Sequence, residues 1–126
     1  MRILHVLDHS IPLHSGYTFR TLAILREQRR LGWETVPLTT PKQGPGKERE
    51  ETIDGLLFHR TPSAPGVGVL AQMKLTAARI AEVARATMPD LIHAHSPVLN
   101  ALPALWVRRS LHIPVVYEMR ASWEDA

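Results

Sequence analysis

The sequence predicts an α/β fold: a Rossmann-like, mostly parallel sheet flanked by helices, with a small β-hairpin insertion. Short apolar segments with strand character alternate along the chain with longer segments of helical periodicity. Such alternation is typical of parallel strands joined by right-handed helical crossovers. The adjacent residues Asp54 and Gly55 stand between two short apolar segments, which indicates a tight hairpin.

The first half of the chain predicts a strand, a helix and a second strand before the hairpin. The first strand is expected over 2–8, where a short apolar run is followed by a polar loop. A helix with one apolar stripe is expected over 17–31, and Gly32 stands where helices commonly end. The second strand is expected over 34–39, with Pro37 indicating a bulge or an edge position.

The second half repeats the alternation of helix and strand. The predicted elements are helices over 69–88 and 98–111 and strands over 90–94 and 113–117. Pro89 is expected to end the first of these helices. Ser96 is expected to cap the second helix, with Pro97 in its first turn.

Length and composition exclude several functional classes. The chain has 126 residues, 44% hydrophobic and 21% charged, which suits a single domain with a buried core. It contains no Cys, so disulfide frameworks, thiolate metal sites and cysteine nucleophiles are excluded. The net charge of +3 is spread along the chain, so no nucleic-acid partner is expected. The N-terminal apolar run is too short for a signal peptide, which predicts a cytoplasmic protein.

The segments that follow the strands form the candidate site, because sheets of this kind bind ligands beyond the carboxyl ends of their strands. These segments are 8–16, 95–96 and 118–124. Gly16 would let the backbone approach a ligand, and the N–H groups of the following helix favour a phosphate. Alternatively, Gly16 only closes a turn. The absence of GxGxxG and GxxxxGK[ST] motifs excludes dinucleotide and P-loop sites.

His93 and His95 are two residues apart, so in an extended strand they point the same way, as metal ligands sometimes do. No carboxylate or third histidine adjoins them in sequence, although His9 could approach them in space. The alternative is that His93 packs in the sheet and His95 is an exposed polar group, and we expect no metal. His5 lies mid-strand and is expected to be a core histidine with satisfied hydrogen bonds.

A charged cluster follows the last predicted strand. Glu118, Arg120 and Glu124 lie there together with Trp123. Such a cluster could orient a sugar through its hydroxyl groups while the indole ring stacks on the sugar face. The alternative is a solvated group of salt bridges.

Three stretches of the chain resemble the N-terminal domain of a GT-B glycosyltransferase of the large retaining group numbered family 4. The stretches are 1–25, 89–97 and 117–125. Within that group the sequence is similar to bacterial enzymes associated with exopolysaccharide and exosortase gene clusters. The resemblance covers essentially the whole chain and depends on the order of the three stretches more than on any one motif.

The resemblance implies the acceptor-binding half of an enzyme whose C-terminal domain, absent here, holds a nucleotide-sugar donor. It implies no cofactor and no metal. Ser15, Gly16 and Tyr17 match the glycine-containing loop that approaches the donor diphosphate and the acceptor. Many relatives carry a catalytic-pocket histidine where this chain has Glu118, so Glu118 or Arg120 would take that role.

The resemblance thus leads to a set of expected site residues and partners. Glu118 and Arg120 are the expected catalytic residues. The expected substrate contacts are Ser15, Gly16, Tyr17, His95, Ser96, Trp123 and Glu124. The expected partners are a nucleotide-sugar donor, a glycan or lipid-linked acceptor, and a second copy of the chain bound through the exposed interdomain face.

On this view the chain is a fragment that is inactive alone, and the full enzyme associates peripherally with the inner face of the membrane. Two other interpretations remain open. One is a stand-alone flavodoxin-like α/β module that binds a nucleotide or another ligand. The other is a metal hydrolase that uses His93 and His95.

Overall fold

The computed structural model describes residues 1–44 and 46–120. The strands are β1 (Arg2–Leu7), β2 (Glu34–Thr39), β3 (Glu50–Ile53), β4 (Leu56–His59), β5 (Leu91–His95) and β6 (Val115–Glu118). The α-helices are α1 (Gly16–Arg30), α2 (Val69–Thr87) and α3 (Val98–Leu111), and a 3-10 turn spans Pro41–Gln43. None of the described helices is long and apolar enough to cross a membrane.

The six strands form one sheet in the order β3-β4-β2-β1-β5-β6. The pairs of β1 with β2, β1 with β5, β2 with β4 and β5 with β6 are parallel, and among the described strands only β3 and β4 pair in antiparallel fashion. The parallel strands therefore end at the same edge of the sheet. The prediction of a Rossmann-like, mostly parallel sheet flanked by helices is confirmed.

The predicted hairpin is confirmed in its turn geometry. Ile53 pairs with Leu56, which leaves a two-residue turn between β3 and β4. Asp54 and Gly55 have φ angles of 52° and 77°, the left-handed values that a type I′ turn requires.

The two faces of the sheet carry different side chains. Leu4, Val6, Ile92 and Ala94 pack with residues of α2 and α3 in the larger hydrophobic cluster. Since successive side chains of a strand point to opposite faces, the odd-numbered residues of β1 and β5 lie on the face that α1 covers. That face holds the three histidines of these strands and the polar site described below.

Two local predictions were wrong. Pro37 lies in an inner strand, between β1 and β4, and pairs in register with His5. The proline is tolerated there because β4 pairs with β2 only at Leu38. Most of that side of β2 therefore has no backbone hydrogen bonds to a neighbouring strand that a proline would interrupt. Ser96 is not the cap of α3, because Pro97 occupies the N-cap position and supplies no side-chain hydrogen bond.

Candidate functional site

Three parts of the chain meet at the side chain of Arg120. Its Nη1 donates hydrogen bonds to the carbonyl oxygen of Tyr17 (3.0 Å) and to Thr21 Oγ1 (2.8 Å), both on α1. Its Nε donates to Glu118 Oε2 (3.0 Å), and its Nη2 donates to His95 Nδ1 (2.5 Å). The expectation that the chain near Gly16, the end of β5 and the end of β6 converge is confirmed.

Arg120 is almost fully enclosed. Its side chain is 6% exposed, and its guanidinium carbon lies 4.2 Å from the centre of the Tyr17 ring. The Glu118 carboxylate, at 27% exposure, neutralises this charge and lies 4.0 Å from Arg20 through its other oxygen. Of the two expected catalytic residues, Glu118 is therefore the one with an accessible oxygen, and Arg120 fixes its orientation.

A chain of histidine hydrogen bonds leads from Arg120 into the sheet. His95 Nε2 lies 2.9 Å from His5 Nδ1, and His5 Nε2 lies 2.8 Å from Gln28 Oε1. Because Arg120 only donates and the amide oxygen of Gln28 only accepts, each histidine carries its hydrogen on Nε2. Every bond in the chain then has one donor and one acceptor, with both rings neutral.

The pKa values of the two hydrogen-bonded histidines, His5 and His95, agree with neutral rings. Burial lowers the pKa of His5 to about 4, with His93 and Arg120 as smaller causes and the Gln28 hydrogen bond opposing them. Burial also lowers the pKa of His95 far below its usual range, and the neighbouring histidines and Arg120 act in the same direction. The expectation for His5 is confirmed, whereas His95 is fully buried and not the exposed polar group expected.

His5, His93 and His95 could supply three metal ligands, since one nitrogen of each lies within 4.8 Å of the others. The histidine that lies close to His93 and His95 is thus His5, and not His9 as the sequence had suggested. His93 Nε2 is buried without a hydrogen-bond partner among the described residues. A cation bound there, however, would break the bond between His5 and His95 and would lie close to the Arg120 guanidinium, so the arrangement opposes metal binding.

A second polar group lies in the loop between β1 and α1. His9 Nδ1 lies 2.9 Å from Asp8 Oδ2, and His9 Nε2 lies 3.0 Å from Ser15 Oγ. The His9 ring stacks on the Tyr17 ring with centroids 4.7 Å apart, and the Tyr17 hydroxyl accepts a hydrogen bond from the Asp8 N–H. Burial raises the pKa of Tyr17 to about 12, so its hydroxyl stays protonated.

Sequence reasoning did not select Asp8 or His9 as site residues. The available signal was a carboxylate beside a histidine directly after a buried strand, in the loop that also holds the expected contacts Ser15 and Gly16. The bond to Ser15 could not be foreseen because it depends on the path of the loop.

The open edge of the site lies at the start of α1. Ser15 is the N-cap of this helix, and its Oγ accepts from the Thr18 N–H (3.1 Å). Gly16 is exposed, and a Cβ atom placed on it would have no neighbour within 4 Å. A ligand can therefore approach the backbone at Gly16 without displacing any described side chain.

The other expected contacts lie at the end of β5 or beyond the described part of the chain. Ser96 donates its N–H to the carbonyl oxygen of Glu118 (2.9 Å), and its Oγ accepts from the Arg120 N–H (3.3 Å). Trp123 and Glu124 lie outside the described residues.

A small cavity of about 30 Å³ adjoins Asp8. Its polar lining residues follow β1 and β2 or lie in the first two turns of α2 and the first turn of α3: Asp8, Thr40, Lys42, Gln72, Thr76 and Asn100. The cavity therefore adjoins the histidine loop at the carboxyl edge of the sheet.

Comparison with solved structures supports this fold. The chain is similar to sucrose-phosphate synthase from Thermosynechococcus elongatus, with a TM-score of 0.70 and 12% identity over 95% of this chain. It is also similar to the C-terminal domain of a hydrogenase from Pyrococcus furiosus, with TM-scores of 0.58 and 0.56 in two structures, 14% and 20% identity, and coverage of 93% of this chain and 90% of that domain. At these identities the likeness shows the fold alone.

The chain spans 33% of the length of the sucrose-phosphate synthase it matches. No curated protein matches it by sequence. The sequence profile of the family described as "Glycosyl transferase 4-like domain" matches residues 15–126, which is most of the chain and includes α1, the histidine strand β5 and Arg120. The chain therefore belongs to the glycosyl transferase 4-like domain family.

Proposed function

We propose that this domain is the N-terminal, acceptor-side half of a GT-B enzyme. The enzyme transfers a sugar from a nucleotide-sugar donor to a glycan or lipid-linked acceptor, with retention of anomeric configuration and without a metal or cofactor. The observation that carries the proposal is the meeting of α1, β5 and β6 at Arg120, at the carboxyl edge of the sheet, in a member of this family.

The site residues have separate roles in this proposal. The diphosphate of the donor approaches Gly16, where the backbone is open and the N-terminus of α1 offsets negative charge. The accessible carboxylate oxygen of Glu118 accepts hydrogen bonds from sugar hydroxyls. Arg120, held between Glu118 and Tyr17, keeps that carboxylate at a fixed distance from α1.

The remaining expected contacts complete the sugar site. Ser96 holds the backbone of β6 beside β5, and we place Trp123 and Glu124 next to the sugar on the strength of the resemblance alone.

The proposal requires a second domain that holds most of the donor. A leaving diphosphate needs cationic groups around it, and the cation that α1 adds to its backbone dipoles at the site, Arg20, already lies 4.0 Å from the Glu118 carboxylate. We therefore propose that the domain works as part of a longer chain, at the cytoplasmic face of the membrane and in exopolysaccharide synthesis. Alone it transfers little or no sugar.

The test is sugar transfer by the full-length chain that carries this domain. A panel of UDP-, GDP-, ADP- and dTDP-sugars is combined with free glycan and lipid-linked acceptors, and the products are analysed by mass spectrometry and by NMR of the new anomeric centre. We expect transfer with retention, and at least a roughly tenfold loss of kcat in Glu118→Ala, as expected when a transition-state hydrogen bond is removed.

The 126-residue chain provides the comparison. It should show no more than background transfer in the same assay. Robust transfer by this chain alone would contradict the two-domain proposal, and tight binding of a free nucleotide or flavin without any transfer by the full-length chain would favour a stand-alone binding module.

A further inference from the structure

We propose that Arg60 positions the loop between β1 and α1, residues 8–15, for sugar transfer. The inference rests on the proposed function, in which the donor diphosphate approaches Gly16 directly after this loop. It assigns a positioning residue that lies outside the site, just beyond the end of β4. The starting point is the set of hydrogen bonds that the Arg60 guanidinium makes.

Arg60 joins the β4 side of the sheet to the loop. Its Nη2 donates a hydrogen bond to the carbonyl oxygen of Ile11 (2.9 Å), and its Nη1 donates to Ser10 Oγ (2.6 Å). Both of these loop residues are buried. Because the guanidinium is planar and rigid, it holds the two acceptors at fixed positions relative to each other. The loop is therefore tied to the segment that follows β4.

The other donors of Arg60 are also used within the chain. Nη1 donates to Thr39 Oγ1 (3.2 Å), and Nε and Nη2 both donate to Glu51 Oε1 (3.1 and 2.7 Å). A guanidinium has five N–H groups, and each of them thus has an acceptor. Since no donor is left for a ligand, Arg60 can influence a substrate only through the loop that it holds.

The burial of this charge needs a reason. The side chain of Arg60 is 6% exposed, and that of Glu51 is 43% exposed. Burial lowers the pKa of Arg60, while the hydrogen bond and the charge of Glu51 act in the opposite direction. Packing alone would be served as well by an apolar side chain, because burying a charged pair costs desolvation energy. The bonds to Ser10 and Ile11 are what an apolar side chain could not supply.

Two further side chains hold the same loop from the β2 side. Gln43 accepts the Ser10 N–H at its Oε1 (2.8 Å) and donates from its Nε2 to the Ser10 carbonyl oxygen (3.3 Å). Thr40 Oγ1 donates to the carbonyl oxygen of Asp8 (3.0 Å). The first half of the loop is therefore fixed along its backbone, and Arg60 is the cation among the groups that fix it.

The held half of the loop is connected to the start of α1. The Leu13 N–H donates to the Ser10 carbonyl oxygen (3.1 Å), which forms a turn after the held residues. His9 Nε2 lies 3.0 Å from Ser15 Oγ, so the two ends of the loop are also joined through side chains. A displacement of Ser10 is thus passed on to Ser15 and to the Gly16 backbone. A misplacement of about 1 Å is enough to slow a reaction strongly.

Arg79, on α2, provides a matched control. Its side chain is 8% exposed and forms an ion pair with Glu82. It donates to the carbonyl oxygens of Arg60 (2.9 Å) and Arg49 (2.7 Å). Among the described residues it makes no hydrogen bond to the loop. Arg79 therefore shares the burial, the charge and the bonding pattern of Arg60 but not its contact with residues 8–15.

The first measurement is amide hydrogen exchange of the full-length chain, followed by mass spectrometry. In Arg60→Met we expect exchange within residues 10–15 to be about tenfold faster, as for the loss of roughly one net hydrogen bond. Arg60→Lys keeps a charge beside Glu51 but lacks the planar fork, so it should loosen the loop as well and keeps the test decisive if the Met variant does not fold. Arg79→Lys should change this exchange less than about twofold.

The second measurement is sugar transfer with the donor and acceptor pair that reacts fastest in the panel above. A loosened loop must be ordered again when the diphosphate binds, so the KM for the donor should rise about tenfold in Arg60→Lys. The KM for the acceptor should stay within about twofold of wild type. Arg79→Lys should keep both KM values within about threefold, although its Tm falls as much as that of Arg60→Lys.

The outcomes separate this inference from the proposed function. Unchanged loop exchange in both Arg60 variants, or equally fast exchange in Arg79→Lys, would overturn the role of Arg60. An unchanged donor KM in Arg60→Lys, with wild type active, would do the same and leave the proposed function intact. If wild type transfers no sugar from any donor in the panel, the proposed function and the kinetic role of Arg60 both fail, and the exchange data still decide whether Arg60 holds the loop.

Discussion

Arg120 donates a hydrogen bond from Nη1 to the carbonyl oxygen of Tyr17 (3.0 Å), although the two residues are 103 positions apart in the sequence. The guanidinium also lies against the Tyr17 ring, 4.2 Å from its centre. This contact fastens the segment after β6 to the first turn of α1. It fixes the distance between the open backbone at Gly16 and the carboxylate of Glu118.

Removal of the Arg120 side chain should destabilise the domain. Arg120→Ala removes the hydrogen bonds of a side chain that is 6% exposed and leaves the fully buried His95 Nδ1 without its donor, so we expect the free energy of unfolding to fall by about 2–3 kcal/mol. The measurement is urea unfolding followed by circular dichroism. Arg20→Ala is the control: Arg20 is 61% exposed and 4.0 Å from Glu118, and its loss should cost less than about 0.5 kcal/mol. Equal effects of the two variants would contradict the anchoring role.

Acidification should destabilise the domain through its buried histidines. The folded-state pKa of His5 is lowered to about 4, so between pH 6.5 and about 4 the unfolded chain binds a proton that the folded chain excludes. Stability is therefore present above pH 6.5 and is lost as the pH falls. By linkage His5 alone contributes a loss of about 2 kcal/mol at pH 5, and His95 acts in the same direction.

The measurement is urea unfolding at several pH values between 7 and 5. The wild type should lose stability steadily, and His5→Gln should show a shallower slope whatever its stability at pH 7. A free energy of unfolding that stays constant over this range would show that the histidines are not excluded from protonation.

Zinc should not bind stoichiometrically to the histidine cluster. A metal ion there would replace the bond between His5 Nδ1 and His95 Nε2 (2.9 Å) and would lie beside the Arg120 guanidinium. We expect less than about a tenth of an equivalent after dialysis against zinc, and no change in Tm. One equivalent retained per chain, with a rise in Tm that His93→Ala abolishes, would show that these residues form a metal site.

The outer face of α3 should mediate self-association of the 126-residue chain. It exposes a stripe of apolar side chains at helical spacing: Val98, Leu102, Leu105 and Trp106. We expect a dimer by light scattering, and a shift to monomer in Trp106→Lys. Leu31→Lys, an exposed apolar position on the opposite face of the sheet, should leave the dimer unchanged. A monomeric wild type at high concentration would contradict this expectation.

The fold was predictable because its signals are local and repeated. The alternation of strand and helix patterns is typical of a mostly parallel α/β sheet, and the turn at Asp54 and Gly55 is typical of a tight hairpin. The two errors also came from local rules. A proline in a strand usually indicates an edge, but β4, the strand beside Pro37, pairs with β2 at one position only. A serine before a helix usually caps it, but at α3 Pro97 takes the N-cap position after Ser96.

The site was predictable only in part. The convergence of the chain near Gly16 with the ends of β5 and β6 follows from the rule that parallel strands end at one edge. The bond between His5 and His95 did not follow, because it joins residues 90 positions apart and depends on the register of β1 with β5. The contact of His9 with Ser15 depends on a loop path that no periodicity describes.

The central claim is that the open surface beside Gly16 is where sugar transfer takes place, and Gly16→Leu tests it most directly. A Cβ at this position meets nothing within 4 Å, and leucine is a better helix former than glycine, so Tm should be unchanged or slightly higher. The new side chain would fill the path to Ser15 and His9. We expect sugar transfer by the full-length chain to fall at least about tenfold, a barrier increase of about 1.4 kcal/mol. A stable Gly16→Leu variant that transfers sugar at the wild-type rate would place the reaction elsewhere.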